Sequence, residues 1–369
     1  MPGKVGGKRG GGGGGGGGTK KPPPGFYLPT GPARYSGIRT ERPLLFFFYH
    51  VEKTGGSAVM KWLYKAAMNR PATLTLLLDL THTSCLLSMF PDLFPGYTWE
   101  PMRCSAEQAP DWRTSAIAIE FHGYSRGRFW NTVVPALSTL RERYAAANGT
   151  LLTATMLREP VRHLVSSYHM WPPNTKRPGD RKLVVPLPVY VALPSSAGLQ
   201  AGSLAVTGYV HTRRGFHNPR GCAIQAEAMR RLDVFDLVGP TVCMRSLLVE
   251  WGRALGWPDN ATRLDLALEA AIRLKPHGVS PHGTLFKQAQ TYSYSLLNAT
   301  SRAHLLETAR CDHVLYSHML SRLQPSGASS VPLGADVDKS ACDALANAGG
   351  AHARGRGVRA PIVGLLPAG

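Results

Sequence analysis

The chain has 369 residues and carries 42 Lys and Arg against 23 Asp and Glu, which gives a formal net charge of +19. This charge favours anionic partners such as nucleic acid, anionic polysaccharide or phosphorylated nucleotides, and it does not choose among them. The six cysteines include no C-x-x-C pair, which argues against a zinc ribbon or a thioredoxin-like site and leaves disulfide connectivity open. From the apolar runs we expect neither a signal peptide nor a transmembrane helix in this sequence.

Composition divides the chain into three parts. Residues 1–37 are rich in Gly, Pro and Lys, and residues 324–369 are of low complexity. Both segments are predicted to be disordered, because they hold too little apolar surface to offset the loss of chain entropy on folding. Residues 38–323 contain regular apolar runs and are predicted to form one α/β domain.

The first strong element is a strand followed by a glycine loop and a helix. The unbroken apolar run Pro43 to Tyr49 is typical of a buried central strand. The loop His50 to Ser57 follows, with the sequence HVEKTGGS. The helix is indicated by apolar residues at i, i+3, i+4 and i+7, namely Val59, Trp62, Leu63 and Ala66.

Strands and helices continue to alternate along the chain. Strands are predicted at Ser115 to Phe121 and Thr150 to Leu157, and helices at Val133 to Ala147 and Val161 to Met170. This alternation predicts an α/β fold with a central parallel sheet flanked by helices.

The second half of the domain has weaker signals. The proline-rich segment Trp171 to Gln200 is predicted to be a long loop. Two helices, Gln225 to Leu232 and Val242 to Leu255, are expected on either side of Val234 to Val238, and a last helix at Asn298 to Leu323.

The loop after the first strand has the composition of a phosphate site. A strand, a glycine loop and a helix N-terminus together supply converging backbone N–H donors at the positive end of the helix dipole. Lys53 adds a point charge, and the hydroxyls of Thr54 and Ser57 add further donors. The backbone donors placed for this role belong to Thr54, Gly55, Gly56, Ser57 and Ala58.

The loop is not a Walker A sequence, because its lysine precedes the glycine pair. It resembles the 5′-phosphosulfate loop of the PAPS-dependent carbohydrate sulfotransferases, in the Lys-Thr-Gly-Gly form of the heparan sulfate 2-O and 6-O enzymes. The segment Leu157 to Pro160, with Ser166 and Tyr168, is similar to the 3′-phosphate-binding segment of the same family. The family often carries a second arginine five positions after the first; in this chain His163 stands there, and Arg162 is displaced from it by one position.

The resemblance implies a P-loop-like sulfotransferase fold and transfer of a sulfuryl group from the co-substrate PAPS to a carbohydrate hydroxyl, without a metal ion. It implies that Lys53 contacts the oxygen bridging phosphate and sulfur, and that Arg158 and Ser166 hold the 3′-phosphate. The expected partner is a polysaccharide and not a nucleic acid, and the expected location is the Golgi lumen. Three N-x-[ST] sequons would suit a lumenal protein, at Asn148, Asn260 and Asn298.

His122 is the favoured general base, because it follows an apolar run at the expected carboxyl end of a strand. The Phe121-His122-Gly123 segment also resembles the region that carries the base histidine in the heparan sulfate 2-O enzymes. Glu120 is the alternative base, and a purely structural histidine is the other reading. Trp130 and Trp171 are candidates for stacking against a sugar.

Two other functions remain open from the sequence. A nucleotide kinase or another kinase-like P-loop enzyme shares the phosphate-loop architecture, although the longer glycine-lysine loop and a magnesium-binding aspartate are not evident. A non-catalytic protein could instead bind anionic glycan or nucleic acid through its basic residues.

Overall fold

The computed structural model describes most of the predicted domain. The described residues are 42–69, 74–77, 89–94, 111–122, 125–175, 183–205, 210–212, 215–218, 220–255, 297–323 and 342. The segments predicted to be disordered, 1–37 and 324–369, lie outside these residues except for Cys342. That cysteine is buried and forms a disulfide with Cys243.

The centre of the fold is a five-stranded sheet in which every neighbouring pair is parallel. Its strands are β1 (Leu44–Tyr49), β2 (Leu74–Leu77), β3 (Ala116–Phe121), β4 (Thr150–Leu157) and β9 (Leu237–Pro240). Two short antiparallel pairs lie outside it: β5 (Asn174–Thr175) with β6 (Leu183–Val184), and β7 (Val210–Thr212) with β8 (Gly215–His217).

The described helices connect and flank these strands. They are α1 (Gly56–Asn69), α2 (Ser125–Arg128), α3 (Val134–Ala146), α4 (Pro160–Met170), α5 (Leu187–Val191), α6 (Leu199–Ala205), α7 (Gln225–Leu232), α8 (Met244–Ala254) and α9 (Ala299–Leu323). A π-helical turn, Phe129–Val133, joins α2 to α3. None of the helices in these ranges is long and apolar enough to cross a membrane.

The strand order is β2-β3-β1-β4-β9, with β1 in the middle. All six residues of β1 are buried, as expected for a strand covered on both faces. From β1 the chain forms β2 and β3 on one side and then returns to β4 on the other side. The carboxyl end of β1 is therefore a topological switch point, where open α/β sheets form their binding crevices.

The predicted α/β class and parallel central sheet are confirmed, and the predicted strand Thr150 to Leu157 matches β4 residue for residue. The prediction of a single long loop over Trp171 to Gln200 is wrong, because α5 and the start of α6 lie within it. Proline misled the prediction there: Pro186 is the N-cap residue of α5 and Pro188 lies in its first turn, where proline is well tolerated.

Two disulfides tie the second half of the domain together. Cys222 bonds to Cys311 of α9, and Cys243, just before α8, bonds to Cys342. Each closes a long stretch of chain, with sequence separations of 89 and 99 residues. Such bonds persist in oxidising compartments.

Candidate functional site

The glycine loop lies at the carboxyl end of β1. The His50 amide donates to the Phe121 carbonyl at 2.9 Å, so pairing with β3 continues to the first residue of the loop. The backbone then turns through Lys53, with φ of 62°, and Gly55, with φ of 91°. Glycine suits the second position because a Cβ strains the left-handed region. Helix α1 begins directly after this turn, at Gly56.

The predicted phosphate donors of the loop fall into two groups. The Thr54 side chain is buried and its hydroxyl donates to the Val51 carbonyl at 2.6 Å, while the Ala58 amide donates to the Gly55 carbonyl at 2.8 Å. The Thr54 hydroxyl and the Ala58 amide therefore stabilise the turn itself. The amides of Gly56 and Ser57 belong to the first turn of α1, where backbone N–H groups have no partner within the helix.

The structure brings the two predicted donor segments together. The Arg158 Nη1 atom donates to the Lys53 carbonyl at 3.2 Å and to the Ser166 hydroxyl at 3.1 Å. Arg158 follows β4, which is the neighbour of β1 in the sheet, and Ser166 lies on α4. One guanidinium therefore links the glycine loop to the segment predicted to hold the 3′-phosphate.

Lys53 and Arg158 are half-buried cations whose pKa values are both lowered, although Glu159 partly opposes the effect at Arg158. Burial, followed by repulsion from Arg158, lowers the pKa of Lys53. Burial, followed by repulsion from Arg162, lowers the pKa of Arg158. An anion bound between the two cations would reverse the repulsion and replace the lost hydration. The region between Lys53 and Arg158 is therefore suited to a negatively charged ligand.

The backbone of Arg158 is fixed by a residue that the sequence did not single out. The Gln200 side chain accepts a hydrogen bond from the Arg158 amide and donates one to the Arg158 carbonyl, both at 2.8 Å. Gln200 is held in turn by buried Asp312 of α9, whose carboxylate accepts from the amides of Gln200 and Ala201 at 3.0 and 2.9 Å. Burial raises the pKa of Asp312 to about 6.

Thr241 ties β9 to the loop and to β4. Its hydroxyl lies 2.8 Å from the Thr54 carbonyl oxygen and 3.0 Å from the Leu157 carbonyl oxygen. These two carbonyls precede the turn at Gly55 and the guanidinium at Arg158. The hydroxyl therefore helps to fix the spacing between the two donor segments.

His163 stands where the sulfotransferase family that the loop resembles often has arginine, and it supports the glycine loop through the backbone of Glu52. It is fully buried on α4, and its Nε2–H donates to the Glu52 carbonyl at 2.8 Å. Burial lowers its pKa to about 3, so it is neutral at physiological pH. A neutral histidine committed to the backbone is a structural support and not a phosphate contact.

The two candidate bases occupy different environments. The His122 side chain is 38% exposed, and its Nε2 lies 3.8 Å from a Glu52 carboxylate oxygen. The Glu120 side chain is 10% exposed, and its carboxylate accepts from His50 Nδ1 at 2.7 Å. The rings of His50 and His122 are stacked, with centroids 4.4 Å apart. The Glu120 carboxylate is thus engaged by His50 and almost buried, whereas the His122 side chain is partly exposed to solvent.

Trp130, a candidate for stacking against a sugar, is buried and donates its indole N–H to the Tyr49 hydroxyl. It belongs to the core, whereas Trp171 is half-buried at the end of α4. Sequence reasoning missed His50, Glu52 and Gln200. A signal existed for His50, because it follows β1 just as His122 follows the neighbouring parallel strand β3.

Within the described ranges, no group of three or more His, Cys, Asp or Glu is arranged to hold a metal ion. A comparison with protein-family models finds no match. Comparisons with curated proteins and with solved structures likewise find no significant similarity.

Proposed function

We propose that this protein is a sulfotransferase that moves a sulfuryl group from PAPS to a hydroxyl of a carbohydrate acceptor, and that the acceptor is a polysaccharide. The observation that carries the proposal is the half-buried pair of cations, Lys53 and Arg158, joined through the Lys53 carbonyl at a topological switch point. A donor with phosphate at both its 5′ and 3′ ends requires two such anion contacts, one at each end of the nucleoside.

The residues of the cluster fit the two ends of that donor. The α1 N-terminus and Lys53 supply backbone donors and a charge for the 5′ end, which carries the sulfuryl group. Arg158 and Ser166, whose side chains are already in contact, supply a guanidinium and a hydroxyl for the 3′-phosphate. The two disulfides support the further proposal that the protein works in an oxidising compartment, the Golgi lumen.

His122 is the proposed base, because its side chain is partly exposed and the Glu120 carboxylate is engaged by His50. His122 accepts the proton of the acceptor hydroxyl as that oxygen forms its bond to sulfur and the bond from sulfur to the bridging phosphate oxygen breaks. Lys53 stabilises the negative charge that develops on that bridging oxygen. Glu52, 3.8 Å from His122, stabilises the imidazolium that results. Such stabilisation is effective because Glu52 is buried and held by the Ser203 hydroxyl at 2.9 Å.

The test is transfer of labelled sulfate from PAPS to a panel of polysaccharide acceptors. Wild type is expected to transfer the label, and Lys53→Ala and Arg158→Ala are expected to abolish transfer. Arg143→Ala is the matched control. It also removes one positive charge, but from the last turn of α3, where Arg143 forms a surface pair with Asp92 near the amino-terminal end of β4 and not at the carboxyl end that carries the loop. Undiminished transfer by both site variants would refute the assignment, and activity that requires ATP and magnesium would favour a kinase.

A further inference from the structure

His50 is the first residue of the glycine loop, and its ring lies between Gly56 at the start of α1 and the proposed base His122. His50 and His122 are each one residue beyond the last paired residues of β1 and β3, Tyr49 and Phe121. Residues in register on parallel strands point to the same face, and so do residues two apart on one strand. His50 and His122 therefore stack at 4.4 Å, and Phe48 also stacks with His50, with centroids 5.9 Å apart.

The orientation of the His50 ring is fixed by Glu120. The Glu120 carboxylate accepts from Nδ1 at 2.7 Å, so the proton is on Nδ1 and Nε2 points away from the carboxylate. Both side chains are only 10% exposed, and a hydrogen bond to a charged acceptor in such a place is a strong one. The ring is therefore held in one position by a buried partner.

The far edge of the ring packs directly on the first residue of α1. A Cβ added to Gly56 would lie 2.0 Å from Nε2 of His50 and 2.1 Å from its Cδ2. No side chain fits between the loop backbone and the ring. Because the amide of Gly56 is among the proposed donor contacts, the His50 ring connects this part of the loop to His122 through direct packing.

We infer that His50 is a positioning residue that aligns the base His122 with the donor loop, through the stacked rings and the Glu120 hydrogen bond. This inference rests on the proposed function and assigns to Glu120 a supporting role in place of a catalytic one. His50 need not touch either substrate, because it acts through His122. A displacement of about 1 Å at a reacting group can cost on the order of 10²-fold in rate.

The test separates kcat from donor binding in the full-length protein. In His50→Ala, kcat is expected to fall by up to about 100-fold, while the Kd for adenosine 3′,5′-bisphosphate measured by calorimetry stays at the wild-type value. His50→Gln can still donate to Glu120 but has no ring, so it should recover thermal stability without recovering kcat. Gly56→Ala should lower kcat by displacing the ring from its other edge.

The matched control is His318→Ala, which removes another histidine paired with a carboxylate, 3.1 Å from Asp233 and away from the loop. It should leave kcat unchanged. Wild-type kcat in His50→Ala or His50→Gln would overturn the inference. A loss of donor affinity in proportion to the loss of kcat in all three site variants would also overturn it, because His50 would then act only by shaping the donor-binding loop and not by positioning His122. A wild-type protein without transfer activity would instead overturn the proposed function, and this inference with it.

Discussion

Two buried titratable residues support the glycine loop and Arg158, and their pKa values are shifted in opposite directions. His163 donates to the Glu52 carbonyl under the loop, and burial lowers its pKa from 6.5 to about 3. Asp312 holds Gln200 against Arg158, and burial raises its pKa from 3.8 to about 6. Both side chains are almost completely inaccessible to water. Their effects on the free energy of unfolding should therefore be measurable and opposite in sign.

The signs follow from proton binding. Between pH 6.5 and about 3, the unfolded chain binds a proton at His163 that the folded chain does not, so stability falls as the pH falls. Between about pH 6 and 3.8, the folded chain binds a proton at Asp312 that the unfolded chain does not, so stability rises as the pH falls. Within these windows each slope approaches about 1.4 kcal/mol per pH unit.

From pH 6 to pH 4.5, His163 should lower the free energy of unfolding by about 2 kcal/mol, and Asp312 should raise it by about 1–2 kcal/mol. In the wild type these two contributions nearly cancel. Each variant that removes one of them should expose the other. Because every other group titrates equally in all the proteins, the comparison with wild type isolates the two residues.

The assay is urea unfolding at pH 6 and pH 4.5 with the disulfides intact. On acidification, Asp312→Asn should lose about 1–2 kcal/mol more stability than wild type, and His163→Gln should lose about 2 kcal/mol less. Glutamine is chosen because its amide can still donate to the Glu52 carbonyl. If both variants respond to acid as the wild type does, the two residues do not carry these pKa shifts and the reasoning is refuted.

Two further predictions concern the scaffold and the surface. Thr241→Val should lower the free energy of unfolding by about 1–3 kcal/mol in urea titrations, because the carbonyls of Thr54 and Leu157 lose their shared donor; wild-type stability would contradict this role. Asn148 is exposed and lies just before the amino-terminal end of β4, whereas the glycine loop lies at the carboxyl ends of the strands. Expressed in a secretory host, Asn148→Gln should therefore lose one N-linked glycan by mass spectrometry and retain full transfer activity, whereas reduced activity would argue against this placement.

The sequence by itself predicted the elements of the candidate site that are local. An apolar run of six residues bounded by proline and a glycine loop favours a buried strand, and apolar residues at helical spacing after a glycine turn favour a helix. Arg158 and Ser166 could be identified from the sequence in the same way, because Ser166 lies on a predicted helix and Arg158 lies about two turns before it, on the N-terminal flank of that helix. His122 could be placed at a strand end for the same local reason.

The tertiary structure decided which distant residues meet. The sequence offered Glu120 as the alternative base to His122, and the parallel pairing of β1 with β3 brings its carboxylate to His50. Gln200 lies 42 residues from Arg158, in a segment predicted to be a loop. Asp312 lies 112 residues from Gln200, in the last helix. Contacts at such separations depend on strand order and helix packing, which periodicity and motifs do not specify. The sequence therefore predicted the strand, the glycine loop and the helix, and the packing around them decided which distant residues contact that loop.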